Sequence, residues 1–454
     1  MPSGITEKTA FLLYDFLWRL VIPALRLNRR LADGFDQRVL KREISGPADL
    51  WIQAASVGES FLAWSILKTL YPENPVKIVL TTNTVQGMGI LEKAVSDITP
   101  NTRGITAETA YFPFDRPSIM EKAVRKIQPR LMVLLETEIW PGHLSALKKS
   151  GCKICVINGR LTEKYVKRYT VWPSLTRSLS PDRILAVSED DANRFAAIFG
   201  RERVSAMPNI KFDRAADSVN TPAGENRVKQ IIPADAPFLV LGSVRQEEED
   251  DIEKIIADIS GRHPETVIGL FPRHMHRIGV WAKTLDRLKI PWLLRSKTGP
   301  PVQKGSVILW DTFGELTMAY QLAAAIFVGG SLAPLGGQNF LEALLCGVIP
   351  VIGRYWESFS WVGLEIVEQG LLREVSDWKE AADTLAREIE QPPDRKKVQE
   401  AALKYVKTRQ GGTARACGLI TEYLNKRVKS RLSGSTVQGS TVQRSEVKTV
   451  NREP

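Results

Sequence analysis

The residues in this chain best suited to chemistry are acids, arginines and glycines that fall just after short apolar runs. Ala55-Ser56-Val57-Gly58-Glu59-Ser60 follows the run Leu50–Ala54 and precedes a helical pattern from Phe61 to Leu70. Gly58 would permit a tight strand-to-helix turn and leave Glu59 near the helix start, where its carboxylate could accept a proton from a bound hydroxyl. Spacing alone reads that carboxylate equally well as a helix cap favoured by the dipole. Glu136-Thr137-Glu138-Ile139-Trp140-Pro141 ends the run LMVLL with two carboxylates and an indole, and Asn158-Gly159-Arg160-Leu161 closes the next run in the same way. Asn209-Ile210-Lys211-Phe212-Asp213 closes the first half, and Pro272-Arg273-His274 brings a cation to the end of VIGLF.

The strongest signal is the stretch from Gly329-Gly330-Ser331 through Gly336-Gly337-Gln338-Asn339 to Glu342, which follows the apolar run AAAIFV and opens a helix. Paired glycines let the backbone approach an anion, and a helix start offers free amides to it, so a phosphate or carboxylate is the expected occupant. The pattern is neither Walker A nor G-x-G-x-x-G. His274 and His276 have no third ligand nearby, and the chain contains no Asp-x-Asp, so the sequence supports no metal bridging a diphosphate. A donor with one phosphate, neutralised by arginine, lysine and backbone amides, fits better.

These clusters need a scaffold that brings strand ends together. Apolar runs recur at 50–54, 78–82, 131–135, 154–157 and 184–187, then at 238–242, 267–271, 307–310, 325–328 and 350–352, with helical patterns such as Arg116–Lys126 and Glu189–Phe199 between them. Such alternation predicts two doubly wound parallel α/β halves joined near 213–233, with ligands at the strand carboxyl ends in the cleft between them. Cys152 and Cys155 lie three apart in KICVIN, which puts them on opposite faces of a strand, as structural thiols of a reducing compartment.

A chain of 454 residues with 43% apolar and 25% charged residues is a globular protein of two domains. Its net charge of +11 is concentrated at the ends: residues 19–42 and 426–454 each carry +5, on a nearly neutral body. That distribution suits an anionic surface better than nucleic acid. Phe11–Leu27, FLLYDFLWRLVIPALRL, is short for a spanning helix. Asp15 and Arg19 share one helical face, which leaves Leu12, Leu13, Phe16, Leu20 and Leu27 largely elsewhere. The segment reads as an interfacial helix with Tyr14 and Trp18 at headgroup depth, against the alternative of a helix packed on the domain. A secretory signal is not expected, since the basic residues follow the apolar stretch.

Taken together, the six motifs at 55–59, 136–141, 158–161, 209–213, 272–274 and 329–342 resemble, in order, those of the 3-deoxy-D-manno-octulosonic acid (Kdo) transferases, which glycosylate the lipid A precursor of Gram-negative bacteria. The resemblance spans roughly residues 10–425. It implies a GT-B fold of two facing Rossmann-like domains, a CMP-Kdo donor, a lipid A precursor as acceptor, inversion at the anomeric carbon and no metal or other cofactor. It also implies attachment to the anionic inner membrane on its cytoplasmic face, with no nucleic-acid partner. By motif, Glu59 would be the base. Arg273 and His274 would hold the CMP phosphate beside the Ser331–Gly337 loop, and Asn339 and Glu342 would meet the nucleotide. Ser56, Gly58, Glu136, Glu138, Asn158, Arg160 and Lys211 would line the cleft.

The corresponding organisation is a membrane-associating segment 1–45, an acceptor domain 46–215, a linker 216–233, a donor domain 234–400, a helix 401–429 and a disordered basic tail 430–454. The chain departs from the family's pattern on the donor side. Gln338 stands in Gly336-Gly337-Gln338-Asn339 where the family has histidine. Gly353-Arg354-Tyr355-Trp356-Glu357-Ser358-Phe359 replaces Gly-Pro-His-x-x-Asn-Phe, and Gly242-Ser243-Val244-Arg245-Gln246-Glu247-Glu248 replaces Gly-Ser-Thr-x-x-Gly-Glu. These departures leave open a related CMP-ulosonic acid, another glycan acceptor, or a non-catalytic nucleotide-binding paralogue.

Overall fold

Each long apolar run becomes a strand buried on both faces, and every strand pair is parallel. The computed structural model describes residues 7–42, 44–98, 104–217, 226–299 and 301–434. The chain divides into two compact units, Met1–Ala206 with Thr413–Pro454, and Met207–Gly412.

The first unit holds β1 (Leu50–Gln53), β2 (Val76–Thr82), β3 (Ile105–Tyr111), β4 (Leu131–Leu135), β5 (Lys153–Gly159), β6 (Arg183–Ala186) and β7 (Val204–Ala206), ordered β3-β2-β1-β4-β5-β6-β7. The second holds β8 (Phe238–Val244), β9 (Val267–Pro272), β10 (Trp292–Leu294), β11 (Val307–Leu309), β12 (Ala325–Val328), β13 (Pro350–Gly353) and β14 (Arg373–Val375), ordered β10-β11-β9-β8-β12-β13-β14. Alternate residues of one strand feed opposite cores: Val240 packs with Ile326 and Phe340, while Leu239 and Leu241 pack with Ile252, Ile256 and Leu385. In each sheet the order reverses once, between β1 and β4 and between β8 and β12. Loops leaving neighbouring strands in opposite directions open a crevice there.

The first unit ends earlier than the expected join at 213–233. The helix Ile210–Asp217 buries Phe212 in the core of the second unit, so Lys211 belongs to that unit. Of the expected linker, residues 218–225 lie outside the described residues, and Val228 and Ile231 are core. Cys152 and Cys155 are free and buried, and Cys152 joins a core cluster that Cys155 does not.

The N-terminal helix Glu7–Leu25 docks on the first unit by its polar and aromatic side. Asp15 pairs with Arg116 and accepts the Ser118 amide, Tyr14 donates to Asp115, and Trp18 lies 5.9 Å from the Phe114 ring. Tyr14 and Trp18 therefore face the domain instead of standing at the outer surface, because Asp115 offers the phenol a partner. The outward face carries Leu12 (72% exposed), Leu13, Phe16, Leu17, Leu20 (61%) and Val21. Among the described residues no helix is long and apolar enough to cross a membrane.

At the other end, the helix Gly412–Gly434 returns to the first unit and buries Ala416, Cys417, Ile420 and Leu424. The Cys417 thiol meets the Ile66 carbonyl, and Arg130 donates to the Leu424 carbonyl at 2.5 Å. The helix continues five residues into the segment expected to be disordered, and 435–454 lie outside the described residues. Truncation after Gly412 is expected to destabilise the first unit by several kcal/mol, at about 1–2 kcal/mol per buried side chain. Hydrogen exchange should show lost amide protection in β1 and the helix Val57–Thr69, with β8 and β12 unchanged.

Candidate active site

Two polar clusters stand where the sheet orders reverse, one in each unit. In the first, β1 ends at Gln53 and the chain turns through Ser56, whose extended backbone caps the helix Val57–Thr69. The Ser56 hydroxyl accepts the Glu59 amide at 3.3 Å and donates to Glu59 Oε1 at 3.2 Å, while the Ala55 amide donates to Oε2 at 2.5 Å. Gly58 is not what allows this turn: it lies inside the helix, and an added Cβ would find only Ser56 Oγ, at 3.8 Å. Its missing side chain leaves open space beside Glu59.

Glu59 is 7% exposed. Two donors and the helix start favour its charged form, the dipole by roughly 0.3–1 kcal/mol. Burial opposes them and wins, and the charges of Glu138 and Glu136 add to it, so the carboxyl is pushed up to about 8. A carboxyl that binds its proton that strongly near neutrality can take one from a hydroxyl, which a solvated glutamate does poorly. The cap and base readings of the sequence thus describe one geometry: the cap holds the side chain in place and burial makes it basic.

Glu136 and Glu138 leave β4. Glu136 adopts a left-handed backbone (φ 55°) and its amide donates to the Ile157 carbonyl. Glu138 accepts the Trp140 indole N–H at 2.7 Å and a Gln53 amide, yet burial still raises its pKa. At the end of β5, Asn158 is fully buried at φ 59° beside a register shift in the ladder, and just past it the Arg160 carbonyl accepts the Thr137 hydroxyl. Glu59, Glu136, Glu138, Asn158 and Arg160 thus sit on three consecutive strand ends of one unit. Left-handed non-glycine residues at two of those ends mark strain held by the surrounding ladder.

In the second unit the glycine-rich loop is already occupied. Glu248, 1% exposed, accepts the amides of Gly330 at 2.6 Å, Ser331 at 3.2 Å, Leu332 at 3.4 Å and Arg245 at 2.9 Å. The anion expected on those amides is therefore the protein's own carboxylate, and an external phosphate needs other donors. Ser331 is fully buried, its hydroxyl donating to Val328 and accepting the Gly353 amide, which fastens β12 to β13. Gly336 and Gly337 have positive φ and lie against Ser358 and Trp356, where a Cβ would stand 2.3 Å from Ser358 Oγ and 3.0 Å from Trp356 Cβ. Asn339 donates to Glu342, whose pKa is raised by burial against the pull of Arg214.

Cations gather at the ends of β8 and β9. Arg273 and His274 are exposed there, and His274 is depressed by partial desolvation and by the charges of Arg245, Arg273 and His276. The His274 and His276 rings stack at 5.6 Å, and among the described residues no group of three His, Cys, Asp or Glu side chains could hold a metal. Lys211 lies 5.8 Å over the Trp361 ring, within the second unit. Sequence reasoning missed Gln53, Arg245 and Glu248. The last two sit in the divergent stretch Gly242–Glu248, and the run Glu247-Glu248-Glu249 at its end hides which glutamate is buried.

Comparison with known proteins places this arrangement among sugar-handling enzymes. Residues 26–214 match a family model described as 3-deoxy-D-manno-octulosonic-acid transferase (kdotransferase). A 3-deoxy-D-manno-octulosonic acid transferase of Haemophilus influenzae is 28% identical over 442 residues, 92% of this chain and 96% of its own. One from Chlamydophila psittaci is 30% identical over 387 residues, 82% of this chain and 87% of its own. Among solved structures, a UDP-GlcNAc 2-epimerase from Neisseria meningitidis superposes with a TM-score of 0.54 at 15% identity, over 83% of this chain and all of that one. The fold is thus of GT-B type.

The raised pKa of Glu59 has a consequence for stability. The folded value of about 8 exceeds the ordinary 4.5, so the stability it carries is complete below 4.5 and is lost as pH rises through 8. Glu59→Gln removes that loss. The variant should match the parent near pH 4.5 and exceed it by about 3–5 kcal/mol above pH 8, at ~1.4 kcal/mol per unit, as read by denaturant unfolding across pH.

Proposed function

The chain belongs to the 3-deoxy-D-manno-octulosonic acid transferase family and is a glycosyltransferase that moves Kdo, and we propose that it does so from CMP-Kdo onto a lipid A precursor, with inversion and without a metal. The observation that carries the mechanism is the buried, proton-avid carboxyl of Glu59 at the first sheet's reversal. Glu59 takes the proton of the acceptor hydroxyl as its oxygen attacks the anomeric carbon of Kdo. The new carbon–oxygen bond forms on the face opposite the departing CMP, whose phosphate oxygen keeps the electron pair of the broken bond. Attack from that face is inversion.

Negative charge grows on the departing phosphate, and Arg273, Arg245 and His274 are the cations to meet it. Asn339 and Glu342, with Gly336 and Gly337, take the nucleotide, and Ser331 acts indirectly by holding β12 to β13. Glu136, Glu138, Asn158 and Arg160 hold the acceptor beside Glu59, and Lys211 serves the donor's unit. The exposed apolar face of the N-terminal helix and the two basic ends support attachment to the cytoplasmic face of the inner membrane, where an anionic lipid acceptor is presented. The half-buried Arg245 in the divergent loop favours a second reading, a related CMP-ulosonic acid as donor.

Incubation with CMP-Kdo and tetra-acylated lipid A precursor should add the mass of one or more Kdo units to the lipid; turnover of another CMP-ulosonate alone would reject Kdo as the sugar. Glu59→Ala is expected to lower transfer at least a thousandfold, on the order seen when a buried base is lost, while calorimetry still detects CMP binding. Near-normal turnover would remove Glu59 from the mechanism. EDTA should leave the rate unchanged, and a chelator-sensitive rate restored by a divalent ion would overturn metal independence.

A further inference from the structure

The helix Pro141–Ser150 starts without a cap of its own. Trp140 stands at the N-cap with a side chain that cannot accept a hydrogen bond, and Pro141 has no N–H to offer. The amides of Gly142 and His143 are served by Asp115, from the far side of two elements: Oδ2 accepts Gly142 at 3.0 Å and Oδ1 accepts His143 at 2.7 Å. Glycine is required there, since a Cβ at Gly142 would stand 2.4 Å from the Asp115 carbonyl oxygen. Asp115 is 3% exposed, burial pushes its carboxyl up to about 7 against the pull of these amides, and the Tyr14 hydroxyl of the N-terminal helix supplies one more donor, 2.9 Å from Oδ2.

The residues around this carboxylate tie the same two elements together. Asp15 takes both Arg116 donors, at 3.0 and 2.9 Å, and the Ser118 amide at 2.8 Å. His143 is sealed between Trp51 and Phe112, and burial depresses its pKa to about 3, so it carries no charge toward Asp115. On the other side of the capped helix start lies the active-site loop. Trp140, the N-cap residue itself, donates to Glu138, and Glu138 and Glu136 are the acids whose charges reach Glu59. The path from the N-terminal helix to those acids therefore runs through one buried carboxylate and one indole.

We propose that Tyr14 and Asp115 are positioning residues, through which the seating of the N-terminal helix fixes the Glu136–Trp140 loop in its place beside Glu59. This rests on the reading of Glu59 as the base. Loss of the Tyr14 donor leaves Asp115 buried with backbone amides alone, the helix start shifts, and Glu138 moves away from Glu59. The groups that face Glu59 are Glu136, Glu138, the Ser56 hydroxyl and the Ala55 amide, and only the first two leave with the loop.

Full-length Tyr14→Phe, which keeps the ring and its packing, separates this role from mere stability. Transfer from CMP-Kdo to detergent-dispersed lipid A precursor, measured between pH 6 and 9.5, removes dependence on a bilayer. The native protein should show a rate that rises through pH 8. In the variant kcat above pH 8, where Asp115 is charged, should fall on the order of tenfold, the worth of one hydrogen bond to a charged group, with the KM for CMP-Kdo unchanged. The rising limb should move to lower pH by about half a unit or more as the like charges withdraw. An unchanged kcat, or a lower kcat with an unmoved limb, would overturn the link and leave Tyr14 a structural contact. A flat profile in the native protein would instead overturn Glu59 as base, and the link with it.

Discussion

A carboxylate sunk among backbone amides is the interaction on which both polar clusters of this protein depend. Asp115 does this in the first unit and Glu248 in the second. Each occupies a place where an external anion could otherwise sit: the start of a helix in one case, a glycine loop after a strand in the other. The amides there have no other acceptor among the described contacts, and a buried unpaired N–H costs about 1–3 kcal/mol. By filling these places from within, the chain fixes two loops rigidly and leaves catalysis to the side chains those loops carry.

Rigidity matters because the first cluster is electrostatically expensive. Two further glutamates, Glu136 and Glu138, act on Glu59, where like charges and low solvent access oppose ionisation. A floppy loop would let the acids separate and hydrate, which would take their share away from the raised pKa of Glu59 and leave burial alone to hold it up. The left-handed backbone at Glu136 and Asn158, at the ends of β4 and β5, points the same way, since such conformations persist only where neighbouring strands hold them.

Much of this was legible in the sequence, and what escaped has a common cause. The ten strands visible as apolar runs lie in the sheets, while β3, β7, β10 and β14 went unread, and all four are sheet edges. An edge strand packs less completely, so selection for continuous apolar residues is weaker: β7 and β10 are half-buried throughout and β14 is mostly exposed. Site residues followed the same logic. Glu59, Glu138 and Arg273 could be read because they sit directly after buried runs. Asp115, Glu248 and Gln53 could not, because their partners are amides or side chains brought close only by the fold. The inward turn of Tyr14 and Trp18 escaped for that reason too: helical periodicity gives their face of the helix, but the acceptor that draws one of them in is 101 residues away.

The first unit is not continuous in sequence. Its sheet is complete at Ala206, but the helix that covers Ile66 and meets Arg130 begins only after Gly412, with the whole second unit between. On a ribosome adding roughly 5–20 residues per second, the interval between the last strand of the first sheet and its closing helix is about 10–40 s. For that time the first sheet and its attached helices exist with an apolar flank bare, and the N-terminal helix of the same unit is apolar on its outer side as well. A nascent chain in that state is a natural client for chaperones. The order of synthesis thus makes the N-terminal helix available well before the first unit can close.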